Sequence, residues 1–120
     1  MGLFDLLSPR KRKLNAAITI LLAEYTYERL SEEDSRRVDD MVTQILSDSG
    51  QLHSTLTYFA MPHAIRYGFI AGALKRLNIP PALPGQSWSN LSGNPFFINE
   101  SEDNEIMDEA YNHLKQKGMK

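Results

Sequence analysis

Between Leu14 and Leu30 the chain carries apolar residues on two sides of one helix, and this pattern restricts the fold more than any other. At about 100° per residue, Leu14, Ile18, Leu21, Leu22 and Tyr25 make one side, while Ala16, Ile20, Ala23 and Tyr27 make a second. Asn15, Thr19 and Thr26 separate the sides along one edge, and Glu24 and Glu28 along the other. A helix of this kind needs two neighbours. Either it lies between two layers of its own bundle, or one side is covered by another subunit, because a monomer rarely leaves a large apolar patch in water. A second helix, 62–77, is also apolar nearly all round, and 120 residues do not easily enclose both. The pattern therefore favours a homodimer or a stable protein partner.

The punctuation of the chain divides it into helices. Ser8-Pro9 supplies an N-cap followed by proline at the first helical position, where the missing N–H is not needed, and the first helix runs to about Leu30. Ser31-Glu32-Glu33-Asp34 opens a second helix with a capping-box-like start and an acidic first turn, and Gly50 can end it. Val38, Met41, Val42, Ile45 and Leu46 fall on one face of it, leaving Asp39 and Asp40 as surface charge. Gln51 to Phe59 can form a short helix, with a break near Ala60 and Met61 before Pro62 and a further helix to about Asn78. Pro80, Pro81, Pro84 and Gly85 stop that helix, and the segment from about 79 to 100 reads as a long loop pinned by aromatics. Ser101, with Glu102, Asp103 and Glu105, caps a last helix whose Ile106, Met107, Ala110, Tyr111 and Leu114 share a face, and Gly118 ends it. No repeat and no sustained strand alternation is present. The expectation is an all-α, compact bundle of about four to five helices forming a single domain over 1–120, with 1–8 as a flexible or interfacial N-terminal segment.

Ala60, Ala64, Gly68 and Gly72 recur at every fourth position and form one ridge. Since Pro62 breaks the helix, Ala64, Gly68 and Gly72 are its continuous part. In a membrane such a ridge suggests helix dimerisation; in water it permits a close helix crossing, expected here with the first helix at Gly68. The stretch from Leu56 to Leu74 has nearly the length of a membrane span but contains Pro62, His63 and Arg66, and a charge near a span's centre costs at least ~2.5 kcal/mol. A buried helix is the better reading.

Charge and composition narrow the partners. The net charge of −2 and the pI near 5.9 disfavour a surface built for nucleic acid. Arg10, Lys11, Arg12 and Lys13 nevertheless hold four of the thirteen basic residues in one run, so the rest of the chain is distinctly acidic. Following Leu3, Phe4, Leu6 and Leu7, that run is a candidate contact for an anionic membrane or other phosphates; the simpler reading is a solvated helix start offset by acidic neighbours. The N-terminal order, apolar before basic, is the reverse of a signal peptide, and the absence of cysteine fits a reducing compartment, so a cytoplasmic location is expected. Met1-Gly2 lacks the Ser or Thr at position 6 that a myristoylation signal needs.

The chemistry-bearing residues are few. His63 and Arg66 sit in the most apolar helix, where burial of a guanidinium demands a partner, and Glu24 or Glu28 of the first helix is the expected one. The same four residues are the candidate set for an anionic ligand or an enzyme site. Glu24 and Glu28 lack the Glu-x-x-His companion of bundle metal sites, and His53, His63 and His113 are widely separated, so no metal and no cofactor is expected. There is no Gly-x-Ser-x-Gly elbow, phosphate-binding loop or dinucleotide fingerprint, and catalysis is the less favoured class. Trp88, Phe96 and Phe97 are candidate partner-binding aromatics, or seals of the loop onto the core. The sequence thus favours a helical interaction or adaptor module. A peripheral membrane adaptor and an anion-binding protein or enzyme are the alternatives.

Overall fold

The computed structural model describes residues 9–48, 62–88 and 103–119, and among them the chain is helical without strands. Four helices are present there: α1 (Pro9–Tyr27), α2 (Glu32–Asp48), α3 (His63–Arg76) and α4 (Asn104–Gln116). Gly50, the short helix expected at 51–59, Ala60, the break expected near Met61 and residues 89–100 of the loop lie outside the described residues, as do Leu3 to Ser8.

The main packed pairs are α1 with α4, α1 with α3, and α2 with α3, so the spatial order is α4–α1–α3–α2. The inner position of α1 answers the demand of its two apolar sides. Ala16, Ala17, Ile18, Thr19 and Ile20 are buried in succession, which a helix with one wet face does not allow. Leu22, Ala23 and Thr26 continue the burial. Both sides of α1 are therefore covered within one chain, and this helix does not itself call for a second copy. Its polar core residues are satisfied: the Thr19 hydroxyl donates to the Asn15 carbonyl one turn back at 2.9 Å, and Thr26 Oγ1 accepts the N–H of Ala82, beyond α3, at 3.0 Å.

α3 is also an inner helix, and the predicted ridge of Ala64, Gly68 and Gly72 is only partly buried. Ala64 is buried, whereas Gly68 and Gly72 are only partly covered; Tyr67, Ile70, Ala71, Ala73 and Leu74 take the core positions. A Cβ added at Gly72 would have no atom within 4 Å, so no helix approaches closely there. The contact face has turned towards residues that fill space, and complete burial of Ile70 and Leu74 contributes about 1.5–3 kcal/mol each.

The outer helices are one-sided. α2 buries Val38, Val42 and Leu46, and α4 buries Ala110 and Leu114. Ser31 caps α2 as its sequence suggested, its Oγ accepting the Asp34 N–H at 3.1 Å. The start of α4 differs from expectation. Its N-cap is Asp103, whose side chain makes no capping bond and turns instead to Lys13 on α1; Ser101 lies outside the described residues.

Two helices end in the same way. After α3, Asn78 adopts a left-handed φ of 58°, the Ile79 N–H reaches the Leu74 carbonyl and the Asn78 N–H reaches that of Lys75. After α4, Gly118 (φ 110°) plays the part of Asn78, with Met119 bonded back to Leu114 and Gly118 to Lys115. The connection after α3 is pinned to the core by buried Leu83, whose Cδ1 lies 3.7 Å from where a Cβ at Gly118 would stand.

Candidate functional site

The sequence-selected charges of α1 and α3 meet at one end of the bundle. Glu24 lies four turns into α1, and His63 is the first residue of α3, directly after Pro62. His63 Nε2 and Glu24 Oε2 form a hydrogen bond between the two inner helices. A carboxylate can only accept, so the imidazole proton of this contact sits on Nε2. The His63 ring also lies 4.8 Å, centroid to centroid, from the Tyr67 ring one turn further along α3. Tyr67 in turn meets Tyr27 of α1 edge to face, at 6.3 Å and 74°. The Tyr27 hydroxyl donates to Asp39 Oδ1 at 2.7 Å and so carries the network to α2.

Burial raises the pKa of both tyrosines. For Tyr27 the hydrogen bond with Ser35 opposes the rise while Asp39 adds to it; for Tyr67 the Arg66 charge opposes it, and Glu24 and Glu28 add to it. Both phenols are therefore neutral near neutrality. The Arg66 guanidinium carbon lies 5.5 Å from the Tyr67 ring centroid, and its charge is felt by both tyrosines. Of the four residues singled out as a ligand or ion-pair set, the structure joins His63 to Glu24; it leaves Glu28 exposed, 3.9 Å from Arg29. A carboxylate beside the imidazole repels an anion arriving at the same point, so this arrangement suits helix pairing better than anion capture.

The basic run is also drawn into the fold. Arg10 Nη2 donates to Glu109 at 2.7 Å, and Lys13 Nζ lies 3.0 and 3.2 Å from the two oxygens of Asp103, a carboxylate that is only 7% exposed. Both contacts tie α1 to α4. Lys11 and Arg12 remain at the surface. Trp88 is a seal of the loop: it is buried, and its indole N–H donates to the Ile79 carbonyl at 2.7 Å. Phe96 and Phe97 lie outside the described residues. Among the described residues no group of His, Asp and Glu is placed to hold a metal ion, and no helix is long and apolar enough to cross a membrane.

One surface was not singled out from the sequence. Where α1 and α4 pass each other, Leu21 and Met119 floor a cleft of about 110 Å³, Tyr25 and Tyr111 wall it, and Glu24, Glu28 and Arg29 form its rim. Tyr111 is the one large hydrophobic residue classed as exposed among the described residues, at 42%. Arg29 is stacked on Tyr25, its guanidinium carbon 3.4 Å from the ring centroid, and Nη1 donates to the Tyr25 carbonyl at 3.0 Å. Helical periodicity placed Tyr111 on one face of α4 with Ala110 and Leu114; the structure buries those two and leaves Tyr111 exposed. Two larger hollows among the described residues differ in character. One of about 560 Å³ lies along the polar side of α4 beside Arg10, and one of about 280 Å³ beside Trp88 is lined by the Ile79–Pro81 turn. Comparison with protein-family models, curated proteins and solved structures finds no match to this chain.

Proposed function

We infer that this chain is a helical interaction module that works by presenting a surface to a protein. The observation that carries this reading is the α1–α4 face, where Tyr25, Arg29 and exposed Tyr111 surround a cleft of about 110 Å³. Tyrosine and arginine are the side chains most enriched among residues that dominate binding energy, and a narrow cleft with an apolar floor suits insertion of a single side chain. The other charged groups favour this reading by being occupied. Arg10, Lys13 and His63 each hold a carboxylate of a neighbouring helix, which leaves them less suited to a phosphate or a substrate.

Affinity capture from the native cell, with the wild-type chain beside Tyr111→Ala and Arg29→Ala, tests the reading. A partner retained by the wild type and lost from both variants is expected, while helical content stays unchanged. Retention indifferent to both substitutions would remove the α1–α4 face from the function.

A further inference from the structure

His63 joins the two inner helices through a ring that gains or loses a proton in the ordinary range of cells. Its Nε2 is hydrogen-bonded to Glu24 Oε2 across the α1–α3 contact. The two side chains are 38% and 31% exposed, so water reaches the ring and a proton needs no opening of the core to arrive. What a positive charge would meet there is set by the neighbours. From α1, Glu24 touches the ring, Glu28 follows one turn later, and Tyr27 lies beyond Tyr67 as a neutral phenol. From α2, Asp39 and Ser35 stand at the Tyr27 hydroxyl. From α3 itself come the Tyr67 ring at 4.8 Å and Arg66 three residues on. Three carboxylates thus favour an imidazolium among the described residues. Arg66 opposes it, as does the start of α3, which carries only about half a charge. Contact decides the balance, because a hydrogen bond between charged groups is roughly twice as strong as a neutral one.

We propose that His63 is a proton-operated clasp between α1 and α3. Uptake of a proton turns its neutral hydrogen bond with Glu24 into an ion pair and tightens the inner helices; release slackens the contact and keeps the hydrogen bond. A proton that the folded chain holds more firmly than the unfolded one stabilises the fold on the acid side of the imidazole range. That stabilisation is lost as pH rises through the folded value. The clasp is independent of what the α1–α4 cleft holds.

Unfolding equilibria at about pH 5.5 and about pH 8 test it. Glu24→Gln leaves the ring an acceptor and removes the charge. Its unfolding constant, relative to the wild type, should be about threefold or more higher at the lower pH than at the upper. In a His63→Gln background, which keeps a neutral donor, the same comparison should show no pH dependence. The His63 ring resonances give a second measure: the folded wild type should hold the proton about threefold or more firmly than the urea-unfolded chain, and Glu24→Gln should lose most of that difference. Equal proton affinity in the folded and unfolded wild type overturns the proposal, whether or not the variants fold. So does an effect of Glu24→Gln that is the same at both pH values, or one whose pH dependence survives His63→Gln and therefore belongs to another group.

Discussion

The inner helix α1 and the outer helix α2 are of similar length and are built on opposite plans. α2 has one apolar stripe, Val38, Val42 and Leu46, and lays it against α3; its other sides carry Arg36 paired with Glu32 and Arg37 paired with Asp34. α1 has no such wet side through its middle, and its contacts run outwards to α3 and α4. A strongly amphipathic helix thus marks the edge of this bundle, and a helix with apolar residues distributed around it marks the centre. The energetic consequence is a gradient: groups that join α1 to its neighbours should matter most, and groups that act within α2 least.

That gradient can be broken at four points. Leu22→Ala on α1 removes a completely buried side chain and should cost about 2–5 kcal/mol in denaturant unfolding, with the slope of the transition retained. A cost below that of Met41→Ala, at the half-buried margin of α2, would contradict the central place of α1. Lys13→Ala removes the Lys13 contact from the buried Asp103 carboxylate at the α1–α4 contact and should cost about 1–3 kcal/mol, whereas the double change with Asp103→Ala should recover part of it.

Tyr27→Phe severs the hydroxyl contact with Asp39 between α1 and α2, at about 0.5–1.5 kcal/mol near neutral pH. It has a second signature at alkaline pH. Burial raises the Tyr27 pKa above its ordinary 10.0, so the fold holds this phenolic proton more tightly than the unfolded chain does. The resulting stabilisation is present below pH 10.0 and is lost as pH rises through the folded value. Thermal unfolding of Tyr27→Phe should therefore fall less steeply above that pH than the wild type; identical slopes would remove Tyr27 from the alkaline transition. Arg36→Ala, which breaks only an exposed pair within α2, should shift stability by about 0.2–0.5 kcal/mol, an effect that added salt reduces.

Much of the helical plan was legible because it is written locally. Ser31 caps where its hydroxyl and the following acids predicted, and Gly118 takes the left-handed conformation that ends α4. The end of α3 was less obvious: Asn78 supplies the same conformation before the prolines begin, a role asparagine tolerates better than most residues with a Cβ. The burial cost of charge led to Glu24 or Glu28 as the expected partner of Arg66, whereas the contact the structure makes with Glu24 is that of His63. What depended on helix orientation was not readable. The small-residue ridge specified where a close crossing was sterically permitted, yet the structure leaves Gly72 facing open space and packs Tyr67, Ala71 and Leu74 instead. Asp103 read as part of the cap that Ser101 opens because nothing near it in sequence discloses Lys13, which approaches from α1.

The spatial order α4–α1–α3–α2 also determines when each surface is hidden during synthesis. The neighbours of α1 are the third and fourth helices of the described chain, not the second, which follows it at once. As the polypeptide emerges, α1 can coil by itself, but one apolar side waits for α3 and the other for α4. Premature release before Asn104 would leave the second side bare and open to aggregation or chaperone capture. Closure also spans a long stretch of chain, a topology that slows folding relative to a bundle of sequential neighbours. The helix nearest the beginning of the described chain is thus among the last to be shielded from water.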